Sequence, residues 1–274
     1  MLRALFLLAL ALDAQPAPPS GIMVDVGGRK LHLHCTGQGN PTVVVTGAGY
    51  SFDWSLIQPE VSRFTRFCTY DPAGFAWSDP GPGPECPDRV SDLHKLLAAA
   101  PVEGPYVLVG LSYGALVARD YAAVYPAEVA GVVFVDHAFL DPSGPPPPAP
   151  PGSPVILSQT PILLTMEDIS NFSHLPKRAR DLHHWADSLG PPLPSVETAR
   201  ACSALVSGKS LGDKPLVVVS TLNDAPNYAK LQASLLALSA SHRQIIATKS
   251  FHAVQIDQPE IVIQAIREAV GFVR

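Results

Sequence analysis

The chain has 274 residues, of which 47% are hydrophobic and only 16% are charged. A chain of this length and apolar content can bury a sizeable core, which excludes wholesale disorder. Its 24 acidic and 19 basic side chains give a net charge of −5 without a basic stripe, so nucleic acid is not expected as the main partner. The 29 prolines are about twice the average share, and their clusters mark interruptions of regular structure.

Residues 1–20 have the layout of a secretory signal peptide followed by a proline-rich leader. Arg3 supplies a positive charge, residues 4–12 are an unbroken apolar run, and small and polar residues follow. The apolar run is too short for a membrane span, which needs about 20 residues. We therefore expect a secreted or periplasmic protein, cut after Ala11 or Ala14, without a stable membrane span. An uncleaved N-terminal anchor is the alternative.

Strand-like and helix-like segments alternate from Met23 onward, which is typical of a parallel sheet with helices on both faces. The predicted strands are short runs at 23–26, 31–35, 41–46, 65–71, 106–109, 132–135, 216–220 and 244–248. The first two flank Gly27-Gly28, which predicts an antiparallel hairpin. Helical patterns are predicted at 90–100, 115–124 and 228–239.

The C-terminal helix is predicted in more detail. Asp257 is expected to cap its N-terminus, with Glu260 completing a capping box and Pro259 in the first turn. Apolar residues then recur at helical spacing, at Val262, Ile266, Ala269 and Val270.

Residues 141–154 contain eight prolines, too many for a helix or a central strand. The residues that follow contain helical patterns at 176–189 and 196–207 but no strong strand. We interpret 141–212 as an insertion that leaves the sheet after one strand and rejoins it at the next. Because such sheets place substrate recognition at the carboxyl ends of their strands, we expect a helical lid. A merely structural excursion is the alternative.

Four cysteines are present, and none has the paired spacing of a zinc site: Cys35, Cys68, Cys86 and Cys202. In an exported protein they can pair in three ways, among which the residues alone do not choose. Buried free thiols are the alternative.

The sequence Gly110-Leu111-Ser112-Tyr113-Gly114 directly follows a predicted strand and directly precedes a predicted helix of small residues. This is the context of a nucleophile elbow. The glycines let strand and helix approach closely, and the helix N-terminus favours negative charge. Ser112 is therefore the predicted nucleophile, and a tight turn with a solvated serine is the alternative.

A serine nucleophile needs a base and an acid that orients the base, and the elbow predicts the chain order serine, acid, histidine. His252, just beyond the last predicted strand, is the predicted base. Asp224, just beyond the strand at 216–220, is the predicted acid. Asp136 is the alternative acid, because it ends the strand at 132–135 at the same edge of the sheet.

Amide N–H groups must also stabilise the oxyanion of the tetrahedral intermediate. We expect one from Tyr113, the residue after the nucleophile. The second is expected from Ala48, in the segment Thr46-Gly47-Ala48-Gly49 after an earlier strand, and a glycine turn without a catalytic part is the alternative. The sequence carries no glycine-rich phosphate loop or metal-ligand motif, so neither a cofactor nor a metal is expected.

These motifs resemble those of the serine-nucleophile α/β-hydrolases, and in particular of the lipase- and esterase-like members of that superfamily. Residues 110–114 match the elbow, and residues 46–49 resemble the His-Gly-x-Gly oxyanion segment, with threonine in place of histidine. Residues 70–79 resemble the loop after the fourth strand. Phe251 and Leu111 depart from the common glycine and histidine, which makes the pocket floor more apolar. Haloalkane dehalogenases and epoxide hydrolases of this fold use aspartate at the elbow, so Ser112 excludes them.

The resemblance implies a mostly parallel eight-stranded sheet flanked by helices, formed by 21–140 and 213–274. It places the lid, 141–212, between the sixth strand and the helix before the seventh. It also places the strands of Cys35 and Cys68 side by side, which favours a disulfide between them.

The predicted function is hydrolysis of a small, apolar carboxylic ester through an acyl-enzyme on Ser112. Acyl transfer, C–C bond hydrolysis or peptide hydrolysis by the same triad are the alternatives. A further alternative is a catalytically idle member of the fold that binds a ligand.

Overall fold

One mixed sheet of eight strands runs through the residues that the computed structural model describes, which are 21–47, 49–137, 166–222 and 228–273. The strands are β1 (Ile22–Asp25), β2 (Lys30–Thr36), β3 (Thr42–Val45), β4 (Phe67–Tyr70), β5 (Tyr106–Leu111), β6 (Val129–Val135), β7 (Leu216–Thr221) and β8 (His242–Ala247). Their order across the sheet is β1-β2-β4-β3-β5-β6-β7-β8. β2 pairs antiparallel with β1 and β4, and the other neighbours pair parallel. The predicted mostly parallel, eight-stranded sheet is confirmed.

The central strands are apolar along their length because both faces of the sheet are covered. In β5, Val107 and Val109 pack into one apolar layer, whereas Leu108 packs into the other. All three side chains are fully buried. This alternation fixes the register of the strand, and it therefore fixes where along the sheet edge the residue after β5 lies.

The described residues also form nine α-helices, which cover the two faces of the sheet. They are α1 (Gln58–Val61), α2 (Cys86–Ala99), α3 (Tyr113–Val124), α4 (Met166–Ile169), α5 (Lys177–Ser188), α6 (Val196–Leu205), α7 (Tyr228–Leu236), α8 (Val254–Asp257) and α9 (Pro259–Val273). α2 and α3 contribute to the apolar layer on one face, and α9 contributes to the layer on the other. The predicted apolar stripe of the last helix is buried, at Val262, Ile266, Ala269 and Val270.

The predicted cap of that helix is wrong. Asp257 is the last residue of α8, a separate helical turn, and α9 begins at Pro259. The Asp257 carboxylate instead accepts hydrogen bonds from the Asn171 N–H at 2.6 Å and the Phe251 N–H at 2.8 Å. Apolar periodicity did not separate the two helices, because buried residues occur in both. Asp257 therefore fastens the turn that contains His252.

Two disulfides join Cys35 to Cys68 and Cys86 to Cys202. The first pair lies directly opposite on the antiparallel strands β2 and β4, as the family resemblance implies. The second joins α2 to α6 across 116 residues of sequence. It ties the helices between β6 and β7 to the core.

Replacing Cys86 and Cys202 by serine is expected to lower the free energy of unfolding by about 2–5 kcal/mol, because the unfolded chain regains the entropy of the open loop. The matched Cys35/Cys68 variant should lose about 1 kcal/mol less from chain entropy, since its loop spans 33 rather than 116 residues. Urea unfolding of the oxidised wild type and both variants measures the difference. A larger loss in the Cys35/Cys68 variant would contradict this account.

Three helices lie between β6 and β7 in the described part of the chain, and α5 and α6 fall where helical patterns are predicted. α5 packs against the single turn of 3-10 helix at Ser51–Trp54, and α6 packs against α2 and α3. No helix among the described residues has the length and apolarity that a bilayer crossing requires. Residues 1–20 and the proline-rich stretch lie outside the described residues, so the signal peptide and the lid stay predictions.

Candidate active site

Ser112 lies on the sharp turn between the end of β5 and the start of α3. Its backbone has φ 51° and ψ −119°, a left-handed conformation that costs a non-glycine residue about 1–3 kcal/mol. The turn is held because the Ser112 N–H donates to the Val135 carbonyl at 3.1 Å and the Ala115 N–H donates to the Ser112 carbonyl at 3.0 Å. The side chain is partly exposed. The predicted nucleophile thus stands on a fixed, strained turn that solvent can reach.

Gly110 and Thr46 explain how the strands approach this turn so closely. A Cβ atom at Gly110 would lie 2.5 Å from the Ala115 nitrogen and from the Gly114 carbonyl, so only glycine fits. Thr46, directly after β3, donates through its hydroxyl to the Gly114 carbonyl at 2.7 Å. Its N–H donates to the Val109 carbonyl at 2.9 Å. The exit of β3 is therefore tied to the elbow.

The predicted base, His252, is paired with a carboxylate. Its Nδ1 lies 2.7 Å from Oδ2 of Asp136. Asp136 follows Val135, whose carbonyl holds the Ser112 N–H, so Ser112 and Asp136 lie at the carboxyl ends of the neighbouring strands β5 and β6. His252, which follows β8, reaches Asp136 at the same edge of the sheet. Among the residues that the structure describes, no hydrogen bond joins the Ser112 hydroxyl to the ring of His252. Such catalytic hydrogen bonds are often long in a free enzyme and tighten when substrate is bound.

Asp136 is held in its charged form. Its Oδ1 accepts hydrogen bonds from the Thr221 hydroxyl at 2.7 Å and the Tyr228 hydroxyl at 3.2 Å. Burial by itself raises the pKa of Asp136, but the hydrogen bonds from His252, Thr221 and Tyr228 outweigh burial and hold that pKa below its ordinary value. The carboxylate therefore fixes the proton of His252 on Nδ1 and leaves Nε2 to accept a proton.

The carboxylate that contacts His252 thus belongs to Asp136, which is the alternative acid, and not to Asp224, which is the predicted one. Asp224 lies in 223–227, outside the described residues, so its assignment stays a prediction. Asp136 has a left-handed backbone, with φ 38°. The hydroxyls of Thr221 and Tyr228 then hold its other carboxylate oxygen while Oδ2 meets His252. The geometry favours Asp136 as the acid.

One of the two predicted oxyanion donors lies beside the nucleophile. Tyr113 is the first residue of α3, and it precedes Ala115, whose N–H donates to the Ser112 carbonyl. The first N–H groups of a helix have no intrahelical acceptor, so this amide is open to an oxyanion. The Tyr113 hydroxyl donates to the Pro84 carbonyl at 2.5 Å, which anchors the residue. Ala48 lies outside the described residues and stays a prediction.

His137 is a residue that the sequence did not single out. It directly follows Asp136 and is 3% exposed. The Gln232 side chain donates to its carbonyl at 3.1 Å. Burial, with a smaller contribution from the charge of Arg119, lowers the pKa of His137 to about 4, so the ring is neutral at pH 7. The one sequence feature that could have identified His137 is its position next to Asp136, at the end of a buried strand.

We expect His137 to weaken the fold in acid. Its pKa is about 4 when folded and near 6.5 when unfolded, so the unfolded chain binds an additional proton between these values and stability falls as pH falls from 6.5 towards 4. In a His137→Asn variant, whose amide keeps a donor but does not titrate, this fall should be shallower. Urea midpoints measured from pH 7 to pH 4 test it, and parallel profiles for the two proteins would contradict it.

The chain is similar to proteins of one large family. Residues 31–265 match the model described as the alpha/beta hydrolase family. An uncharacterised protein of Schizosaccharomyces pombe is 42% identical over 225 residues, which are 82% of this chain but only 35% of that protein. A 2-hydroxy-6-oxo-2,4-heptadienoate hydrolase of Pseudomonas putida is 31% identical over 121 residues, 42% of this chain and 44% of that one.

Solved structures share the same architecture. An esterase from Thermogutta terrifontis has a TM-score of 0.67 and 21% identity, covering 93% of this chain and 99% of its own. At this identity the likeness shows the fold alone.

Proposed function

Because the chain belongs to the alpha/beta hydrolase family, we propose that it is a serine hydrolase that cleaves carboxylic esters through an acyl-enzyme on Ser112. The observation that carries the proposal is the 2.7 Å contact between His252 and Asp136, built on the strand end that also holds the strained turn of Ser112. A base oriented by a buried carboxylate next to a nucleophile elbow is the arrangement that acyl transfer to serine needs.

In the proposed reaction, the Ser112 hydroxyl attacks the ester carbonyl while Nε2 of His252 takes its proton. Asp136 stabilises the imidazolium that forms, and the Tyr113 amide, with the predicted Ala48 amide, donates to the oxyanion. The bond from the carbonyl carbon to the alkoxy oxygen then breaks, and His252 returns the proton to the leaving alcohol. Water, deprotonated by His252, releases the acid and restores Ser112.

C–C bond hydrolysis is the second candidate, because the similar Pseudomonas putida protein is named as a hydrolase of a 2-hydroxy-6-oxo-dienoate. The same three groups serve that reaction, so the difference lies in the pocket. The apolar residue Phe251, which is 69% exposed beside His252, favours a neutral ester over a dienoate that carries a carboxylate.

The pure protein should therefore be given p-nitrophenyl butyrate, a 2-hydroxy-6-oxo-dienoate and a fluorophosphonate probe. We expect release of p-nitrophenolate and one covalent adduct on the peptide that contains Ser112. Cleavage of the dienoate without cleavage of the ester favours the second candidate. An adduct without turnover of either substrate favours an idle ligand-binding member, and no adduct at all contradicts a serine hydrolase.

We further propose that the protein works in an oxidising compartment, secreted or periplasmic, on a small-molecule substrate. The two disulfides support the compartment, since such bonds persist where thiols are not kept reduced.

A further inference from the structure

A charged cluster that is largely buried joins α5 to the turn that follows β3. At its centre is His183, which is 4% exposed. Its Nδ1 donates to Oδ1 of Asp53 at 2.8 Å, and its Nε2 lies 3.4 Å from Oδ2 of Asp187. Both ring nitrogens thus face carboxylates, which requires a proton on each of them.

The surroundings keep this imidazole charged. The rings of Tyr50 and Phe172 stand edge-on to it, with centroids 5.0 and 5.2 Å away. Burial alone lowers the pKa of His183, but Asp53 and Asp187 outweigh burial and raise that pKa to about 10. The Tyr50 hydroxyl donates to Asp187 at 2.7 Å and completes the cluster. A buried charge held in this way is costly to unpair, so α5 is fixed on this turn.

Asp53 connects the cluster to the backbone that follows the predicted oxyanion donor, Ala48, in the sequence. Its Oδ2 accepts the Tyr50 N–H at 3.1 Å. A Cβ atom at Gly49 would lie 2.9 Å from the same oxygen, so the backbone closes tightly around the carboxylate. This stretch begins one residue after Ala48, the proposed second oxyanion donor.

We propose that His183 is a positioning residue for the hydrolase: it holds Asp53, and through Asp53 it holds the backbone of Gly49 and Tyr50, which directly follows the predicted oxyanion donor Ala48 in the sequence. The inference rests on the proposed function and deepens it. His183 does not touch the reacting atoms, and its effect is transmitted by the Asp53 carboxylate, which accepts the Tyr50 N–H and lies close to Gly49.

The chain that precedes α5 also contacts the other side of the site. The Ala253 N–H, next to His252, donates to the Ile169 carbonyl at 3.0 Å, and the Asn171 N–H donates to Asp257. Asp257 in turn accepts the Phe251 N–H. The chain between β6 and β7 is thus fastened to the turn of the base as well as to the turn that follows β3, which gives His183 a rigid support.

The first test is steady-state hydrolysis of p-nitrophenyl butyrate by His183→Gln and Asp53→Asn. We expect kcat to fall about 10- to 100-fold while KM changes less than about threefold, because oxyanion contacts act mainly in the transition state. The expected loss is below the roughly 10²- to 10³-fold cost of removing one donor outright, since the amide is displaced and not deleted. Active sites are counted by titration with the fluorophosphonate, so that kcat is calculated per folded molecule.

The second readout is the alkaline limb of the pH profile. The stabilisation from charged His183 is complete below its unfolded pKa near 6.5 and is lost as pH rises towards about 10. Two other groups of the cluster do not titrate in this range. Burial alone raises the pKa of Asp187, but hydrogen bonds from His183 and Tyr50 outweigh burial and hold that pKa below its ordinary value, and burial beside Asp187 raises the pKa of Tyr50. We expect wild-type kcat and urea midpoint to fall together towards pH 10, and His183→Gln to lack that fall. His184, also on α5, stays in both proteins.

Lys177→Ala is the matched control, because it removes an exposed ion pair with Asp181 from the same helix. Its kcat should equal that of the wild type. If His183→Gln fails to fold, Asp187→Asn replaces it, since that partner is 46% exposed. If the wild type is active and the folded cluster variants keep kcat within about twofold, the inference about His183 is overturned but the proposed function is not. The same holds if the variants lose stability without losing kcat. A wild type that neither hydrolyses ester nor takes the probe overturns the proposed function as well.

Discussion

Ser112→Ala is expected to lower kcat for p-nitrophenyl butyrate by about 10⁶-fold and to abolish fluorophosphonate labelling. The reason is chemical, since the substitution removes the oxygen that attacks the carbonyl and leaves the oxyanion donors and the pocket in place. A residual acceleration of about 10³- to 10⁴-fold over water is expected from those remaining groups. Stopped assays at high enzyme concentration, with mass spectrometry of the labelled peptide, measure both effects.

The variant should fold, because the hydrogen bonds that hold the turn are made by backbone atoms. The Ser112 N–H reaches the Val135 carbonyl, and the Ser112 carbonyl receives the Ala115 N–H, whichever side chain is present. Ser188→Ala is a matched control, since its exposed hydroxyl only contacts the Trp185 carbonyl on the same helix. Activity within tenfold of the wild type, or an adduct on another residue, would place the nucleophile elsewhere.

The turn that carries Ser112 could be predicted from sequence because its determinants are local. Gly110 and Gly114 flank Ser112, a buried strand precedes them and a helix follows, all within about 20 residues. The position of His252 could be predicted for a related reason, because parallel strands end at one edge and the histidine follows the last of them. The sheet followed from the same patterns, since strands covered on both faces are apolar throughout.

The remaining parts of the site depend on contacts between distant segments, which sequence patterns do not encode. Asp136 and Asp224 both follow strands that end at the same edge, so chain position alone did not separate them. The left-handed backbone of Asp136, and the hydroxyls of Thr221 and Tyr228 from 85 and 92 residues away, bring its carboxylate to His252. The capping role predicted for Asp257 was wrong for a similar reason, since its partners were set by tertiary packing.

The choice of acid gives the second large effect: Asp136→Asn is expected to lower kcat by about 10⁴-fold, whereas Asp224→Asn should stay within about threefold of the wild type. Thr221 and Tyr228 donate to one oxygen of Asp136. In the asparagine variant they continue to hold the amide oxygen, which turns the amide NH₂ towards Nδ1 of His252. That NH₂ requires an unprotonated Nδ1, so the ring proton moves to Nε2.

A His252 ring protonated at Nε2 cannot accept the Ser112 proton, so both acylation by the ester and labelling by the fluorophosphonate should slow in parallel. Single-turnover rates and the labelling rate constant, measured for the two asparagine variants side by side, separate the two carboxylates. The unfolding midpoint should differ little between the variants, because Asp136→Asn keeps its two hydroxyl donors. A large loss in Asp224→Asn with a small one in Asp136→Asn would mean that the contact between His252 and Asp136 is not the pair that works in catalysis.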